Sequence, residues 1–168
     1  MAGTERLESL EGNNLAELCS KSLYTLDGLW FTLLEKKYGL DVALDIDEEV
    51  WQKFCPIHIR RLLQTFSIRA DNPIRAVVNL LKVDPIQLIY KLEVVKLTDN
   101  KAVFRVTDCP PQKARIGDGR GEFPCKKVGT IMFQAYAEAI DPRIRLTCLA
   151  CPPDTHPSRY WCEWQFEI

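Results

Sequence analysis

The stretch PCKKVGTIMFQAYAEAIDPRIRLTCLAC (124–151) decides the fold, because its hydrophobic period changes from helical to extended at Asp141-Pro142. The helix that Pro124 can open carries one apolar face, made of Cys125, Val128, Met132 and Tyr136. Residues 143–150 (RIRLTCLA) then alternate as a strand does. The helix climbs about 24 Å and the strand spans about 27 Å. The strand therefore returns to the level at which the helix began.

Two strands precede this stretch and one follows it. A strand begins at Leu88, turns at Asp99-Asn100, and returns over residues 103–108, while residues 159–167 alternate again. The segment 109–123 (CPPQKARIGDGRGEF), which joins the second strand to the helix opened by Pro124, is predicted to be a polar loop. The order helices, then ββαββ, predicts an α+β fold in which N-terminal helices pack on a four-stranded sheet unit. We divide it into a helical region, 1–84, and a cysteine-rich ββαββ region, 85–168, within one compact domain.

The first half of the chain has helical periodicity. Asn14 is a candidate N-cap for the first helix, and Gly39 is its predicted stop. A second helix follows, which Pro56 either kinks or divides from a third. Asn72 before Pro73 predicts a cap and first turn of a further short helix.

Composition excludes several classes of protein. An apolar share of 46% with 27% charged residues is not that of a disordered or collagen-like chain. A net charge of −1 argues against nucleic acid as a partner. Apolar runs are far shorter than the ~20 residues that span a bilayer, which argues against a membrane partner. Residues 1–14 contain no apolar segment typical of a secretory signal, so we expect a cytoplasmic protein.

Cysteine is the unusual residue. The chain has seven, and five of them fall between residues 109 and 162. The strand, the helix and the strand that follows it form a parallel crossover, which brings these five to one end of the sheet although they are far apart in sequence. If Ala150 pairs with Tyr160, Cys148 also faces Cys162 across the ladder. In a reducing compartment such a cluster indicates metal binding or thiol reactivity more than disulfides.

The first interpretation is a metal site. Thiolates bind zinc or iron, and the Cys-x-x-Cys turn at 148–151 supplies two of them. The candidate ligands are Cys109, Cys125, Cys148, Cys151 and Cys162. Their spacing matches no zinc ribbon or finger.

The second interpretation is a reactive thiol, either Cys125 or Cys109. Cys125 lies in the first turn of the predicted helix, where free backbone amides favour a thiolate. His156 and Asp154 could then act as base and orienter for nucleophilic attack. The third interpretation is that the cysteines only fill a tight corner of the core. The sequence leaves all three open, and with them the question whether the protein is an enzyme.

Four further side chains are candidate ligand contacts. Arg115 is placed by the same topology at the cysteine-rich end and can anchor a carboxylate. Asp27 lies at the margin of the first helix's apolar stripe, close to Trp30, where it is a candidate for lining a pocket. Trp164 shares a strand face with Cys162. His58 is interpreted as a surface or half-buried helical residue.

Several motifs together resemble a family of uncharacterised bacterial and archaeal cytosolic proteins. They are DGLWF (27–31), FRVTDCP (104–110), EFPCK (122–126), IDPRIR (140–145), CLACPPDTHP (148–157) and WCEWQF (161–166). The pattern of Cys109, Cys125 and the terminal segment 162–166 is more distantly similar to the aminothiazoline-carboxylate hydrolase family and to the 4-vinyl-reductase-like small-molecule-binding domain. These two more distant resemblances imply a ligand-binding α+β domain, which in such relatives is often a homodimer. The aminothiazoline branch alone implies hydrolysis of a cyclic amidine.

The expectation is therefore a cytoplasmic protein that binds a small molecule, with or without zinc or iron, at the cysteine-rich end of its sheet. The alternative is a hydrolase of a cyclic amidine or a related compound that uses a thiol or a metal-bound water.

Overall fold

A computed structural model describes residues 12–68 and 71–168. The predicted absence of a secretory signal rests mainly on residues 1–11, which lie outside the described residues. The predicted α+β architecture is confirmed. The helices are α1 (Gly12–Tyr38), α2 (Leu40–Thr65), α3 (Pro73–Val83), a 3₁₀ helix (Pro85–Ile89), α4 (Pro110–Gly117) and α5 (Lys126–Ile140). The strands are β1 (Lys91–Leu97), β2 (Lys101–Asp108), β3 (Arg145–Ala150) and β4 (Cys162–Glu167).

Helices α1 and α2 are joined by a single residue. Gly39 has φ +89°, a conformation that only glycine adopts readily, and it stops α1 as predicted. Asn14 does not cap α1, since the helix already includes Gly12. Nor does Pro56 divide α2. Buried residues on both sides of the proline, from Trp51 to Ile59, hold the helix continuous through packing.

Side-chain caps fix the start of the next two helices. Asn72 caps α3 as predicted, its Oδ1 accepting from the backbone N–H of Ile74 at 2.7 Å. Asp84 caps the 3₁₀ helix by accepting from Ile86 N at 2.9 Å. Because this short helix occupies residues 85–89, β1 begins at Lys91 and not at the predicted Leu88.

The segment predicted as a polar loop contains a helix. Pro110 and Pro111 occupy the first turn of α4, where a missing N–H costs nothing. Gln112 and Arg115 form its buried face and bond to residues outside it. Hydrophobic periodicity could not reveal this helix, because its buried residues are polar.

The sheet has the order β1-β2-β4-β3, with each neighbouring pair antiparallel. Since β4 lies between β2 and β3 and runs against both, β2 and β3 point the same way. The predicted parallel crossover through α5 is therefore present.

Helix α5 packs closely on one face of this sheet. The ring of Phe133 lies 5.1 Å from that of Trp164 and 4.9 Å from that of Phe104. At Gly129 the contact is so close that a Cβ would stand 2.8 Å from Trp164 Cζ2. This residue lets the helix approach the sheet.

The outer face of the helical pair is rich in exposed apolar side chains. On α1 they are Leu15, Leu18, Leu26, Leu29, Trp30, Leu33 and Tyr38.

Among the described residues, no helix combines the length and apolar character needed to cross a membrane.

Candidate functional site

The crossover gathers cysteines at one end of the sheet. The last residues of β2 meet the first of β4, where Val106 pairs with Cys162. Cys109 follows β2 directly, Cys151 follows β3 directly, and Cys125 is the N-cap of α5. Four of the five candidate thiols therefore lie at this same end, whereas Cys148, which was predicted to join them, lies within β3.

The predicted contact of Cys148 with Cys162 across the ladder is wrong. Cys148 pairs with Trp164 instead. The β4 ladder begins at Cys162, so Tyr160 has no place in it, and a register shift follows Cys148 before Ala150. These two local features move the pairing from the one that strand alternation alone predicts.

Two of the cysteines form a contacting pair. Cys125 Sγ lies 3.5 Å from Cys151 Sγ. Cys151 is 1% exposed, whereas Cys125 is only partly buried. A backbone hydrogen bond from Lys126 N to Pro152 O, 3.0 Å long, joins the residues that follow each cysteine. The start of α5 is thus tied to the end of β3, and the two thiols are held side by side.

Gln112 completes the surroundings of Cys125. Its Nε2 donates to Cys125 Sγ at 3.4 Å and to Phe123 O at 2.8 Å, while its Oε1 accepts from Phe123 N at 2.7 Å. These bonds fix the amide, which is 1% exposed. Sequence analysis missed Gln112, because it recognised no helix in this segment.

The electrostatics of the pair divide the two thiols. The hydrogen bond from Cys151 has the largest effect and lowers the pKa of Cys125; burial opposes it, and the bond from Gln112 and the charge of His156 add to the lowering. The same thiol–thiol bond raises the pKa of Cys151. Burial raises the pKa of Cys109 to about 12. Of the two thiols, Cys125 is therefore the one whose ionisation the surrounding contacts favour.

The predicted triad of Cys125, His156 and Asp154 is not assembled. Asp154 binds Lys126 Nζ at 2.5 Å. His156 contacts Glu122 through Nε2 at 3.2 Å and Tyr160 O through Nδ1 at 2.9 Å. Both ring nitrogens are thus engaged away from the sulfur.

The charge of His156 nevertheless acts on the site. Burial disfavours the charged imidazole, but hydrogen bonds to Pro157 O, Glu122 and Tyr160 O outweigh it, so the pKa of His156 is raised. The imidazolium lowers the pKa of Cys125 through space. His156 therefore acts on the Cys125 thiol through its charge and not through a hydrogen bond to the sulfur.

The geometry of a metal site is not formed by these side chains. Within residues 12–68 and 71–168, no group of three or more His, Cys, Asp or Glu side chains is arranged to hold a metal ion. Of the five predicted thiol ligands, Cys125 and Cys151 lie within hydrogen-bonding distance of each other. The prediction of zinc or iron stays a prediction.

Arg115 is committed to a partner within the protein. Its Nη1 donates to Oε2 of Glu35 on α1 and its Nη2 donates to Oε1 of the same carboxylate, both at 2.8 Å. The guanidinium also lies 5.8 Å from the ring centroids of both Phe31 and Phe123. This interaction fastens α4, and with it Gln112, to the first helix.

The other predicted ligand contacts lie on different parts of the fold. Trp164 is fully buried in the core, against α5. Trp30 is 63% exposed on α1. Asp27 is partly buried on the same helix, and burial raises its pKa to about 6. Asp47 on α2 lies close enough for the Asp27 charge to act on it, and chiefly burial raises its pKa to about 7.

A second buried polar cluster surrounds Asp84. One carboxylate oxygen lies 3.0 Å from His58 Nε2, and the other accepts a hydrogen bond from the Tyr136 hydroxyl. Asp84 is fully buried, and it also caps the 3₁₀ helix. His58, interpreted as a surface or half-buried residue, is thus a partner of a buried carboxylate that joins α2, α5 and the 3₁₀ helix.

The chain was also compared with known proteins. Residues 8–168 match a family described as "Family of unknown function (DUF6125)". No curated protein and no solved structure is significantly similar to the chain. The more distant resemblances, to the aminothiazoline-carboxylate hydrolase family and the 4-vinyl-reductase-like domain, find no support in these comparisons and stay predictions.

Proposed function

Since the chain belongs to the DUF6125 family of unknown function, we propose from the site alone that the protein binds a small electrophilic molecule at the cysteine-rich end of its sheet. The sulfur atom of Cys125 is the atom that contacts this ligand. The observation that carries the proposal is the pair of contacts made by Cys125 Sγ: it lies 3.5 Å from Cys151 Sγ and accepts a hydrogen bond from Gln112 Nε2.

These bonds favour the reactive form of the thiol. A thiolate, and not a thiol, is the nucleophile in cysteine chemistry. Cys125 also precedes the first turn of α5, where unpaired amides and the helix dipole stabilise negative charge. The lowered pKa of Cys125 follows from the same contacts.

Access distinguishes Cys125 from its neighbour. Cys125 is partly exposed, whereas Cys151 is almost completely buried. An incoming molecule therefore reaches Cys125 first, while Cys151 contacts the Cys125 sulfur from the buried side.

Binding is better supported than hydrolysis. A thiol hydrolase needs a base that takes and returns a proton near the nucleophile. His156, the predicted base, uses both ring nitrogens in bonds to Glu122 and Tyr160. We therefore propose no second function for this site.

The test measures how fast iodoacetamide alkylates each cysteine of the folded protein as a function of pH. The labelled cysteines are then identified by mass spectrometry of peptides. We expect Cys125 to react with an apparent pKa below the free-thiol value of about 8.5. Cys151→Ala removes the strongest hydrogen bond to the thiolate and should raise that pKa, while Cys19→Ser, at an exposed cysteine on α1, should leave it unchanged.

Two results would contradict the proposal. One is a Cys125 that fails to react in the folded protein or reacts with a pKa at or above the free-thiol value. The other is near-stoichiometric zinc or iron in protein purified without a histidine tag, since a bound metal would occupy the thiolates.

A further inference from the structure

We infer that Cys125 and Cys151 form a dithiol–disulfide couple that exchanges with low-molecular-weight disulfides. The inference rests on the proposed reactivity of Cys125 and adds a second thiol to it. It gives the site a redox activity, with a disulfide as the class of substrate.

The geometry needs little change to form the bond. The two sulfurs are 3.5 Å apart, and a disulfide requires about 2.05 Å. The remaining gap between the two sulfurs is about 1.5 Å. The backbone bond from Lys126 N to Pro152 O keeps the two segments adjacent in both states.

The two thiols differ in the ways that exchange requires. The attacking sulfur must be accessible and ionised, and Cys125 is partly exposed at the start of a helix. The resolving thiol must be close but protected from outside reagents, and Cys151 is 1% exposed. A disulfide from solution can therefore react with Cys125 and cannot reach Cys151 directly.

The reaction balances in two steps. The Cys125 thiolate attacks one sulfur of a disulfide RSSR, forming a Cys125–SR mixed disulfide and releasing one RS⁻. Cys151 loses its proton to solvent or to that RS⁻, attacks Cys125 Sγ, and releases the second RS⁻. Starting from the Cys125 thiolate, the protein has lost two electrons and the proton of Cys151, and RSSR has become one RSH and one RS⁻. A dithiol reductant reverses the sequence.

Cys162 is the competing partner. It also interacts with the Cys151 thiol, so a Cys151–Cys162 bond is the main alternative product. Cys162 is buried as well, however, so neither thiol of that pair offers a first point of attack. The structure therefore favours the bond between Cys125 and Cys151.

The experiment treats the full chain with bis(2-hydroxyethyl) disulfide and follows the products by intact mass and peptide mapping under non-reducing conditions. We expect a cross-link in the wild type that maps to Cys125 and Cys151, with the loss of two hydrogens from the joined peptides. This measurement needs no variant and so does not depend on whether a variant folds.

Variants then separate the two steps. Cys151→Ser keeps a hydrogen-bond donor but has no thiol, so it should accumulate the mixed disulfide on Cys125, which is only transient in the wild type. Cys125→Ser should form neither product. Cys19→Ser should form the same Cys125–Cys151 cross-link as the wild type, without any adduct on the exposed Cys19, which also excludes cross-links between chains through that cysteine.

The outcomes distinguish this inference from the proposed function. A persistent mixed disulfide on Cys125 in the wild type, or a cross-link to Cys162, overturns the couple but leaves the reactive thiol intact. A Cys125 that reacts with neither the disulfide nor iodoacetamide overturns both.

Discussion

Replacing Gly129 by alanine tests the close packing of α5 on the sheet. The added Cβ would stand 2.8 Å from Trp164 Cζ2 and 3.2 Å from Cη2. The shorter distance is about 0.7 Å less than the 3.5 Å at which carbon contacts become favourable. Trp164 is fully buried, so its ring cannot move aside without disturbing the core.

The expected effect is a net loss of stability. An overpacked core costs about 1–3 kcal/mol, and this site belongs to the upper half of that range because the neighbour is a rigid, buried ring. Alanine regains about 1 kcal/mol through its higher helix propensity. We therefore expect the free energy of unfolding to fall by about 1–2 kcal/mol, which lowers the Tm by roughly 2–8 °C for a chain of this size.

Gly28 provides the matched control. It also lies inside a long helix, α1, but no heavy atom lies within 4 Å of the position where its Cβ would be. The same substitution there keeps the propensity gain without the clash, so Gly28→Ala should stabilise the protein by about 0.5–1 kcal/mol.

Urea unfolding followed by far-UV circular dichroism measures both variants against the wild type. The denaturation midpoints of the two variants should shift in opposite directions, at an unchanged m-value. If Gly129→Ala is neutral or stabilising, α5 does not approach the sheet as closely as the structure shows.

Three further substitutions test the polar contacts. Burial raises the pKa of Asp47 to about 7, so folding retains a proton that the unfolded chain releases near pH 4. The contribution of Asp47 to the free energy of unfolding is therefore fully present below about pH 4 and is lost as the pH rises to about 7. In Asp47→Asn, urea titrations between these pH values should no longer show that decrease in the free energy of unfolding. Tyr136→Phe leaves a buried oxygen of Asp84 without its donor, and differential scanning calorimetry should show a loss of about 1–3 kcal/mol. Arg115→Lys cannot reproduce the two-pronged contact with Glu35, and chemical denaturation should report a loss of roughly 1.5–3 kcal/mol. That contact lowers the pKa of Glu35, so the stability it contributes disappears as the pH falls through the carboxyl's folded pKa, and the variant should be less sensitive to acid.

The sequence alone determined the features that depend on local pattern and chain length. The change of period at Asp141-Pro142, together with matched helix and strand lengths, predicted the crossover that brings the cysteines to one end. Asn72 before Pro73 predicted a cap that the structure contains. Such features are readable because capping, periodicity and rise per residue act over a few neighbouring positions.

Contacts between distant segments were decided only by the tertiary structure. Cys148 pairs with Trp164 and not with Cys162, because a bulge and a late strand start set the register. Glu122, and not Asp154, is the partner of His156. Alternation predicts the face on which Cys148 lies but not its partner, because a register shift of two residues, from Cys162 to Trp164, keeps every side chain on the same face. Alternation also cannot predict the partner of His156, which lies in the loop between β3 and β4.

The thiol site shows the same division. Sequence placed Cys125 at a helix start, but its contact with Cys151 depends on side-chain positions 26 residues apart. The helix that brings Gln112 to the sulfur is fastened by Arg115 to Glu35, 80 residues away in the chain. Periodicity reports which face of an element is buried, whereas a hydrogen bond requires two atoms to approach within about 3.5 Å. That distance is set by how the elements pack together, and only the folded chain fixes it.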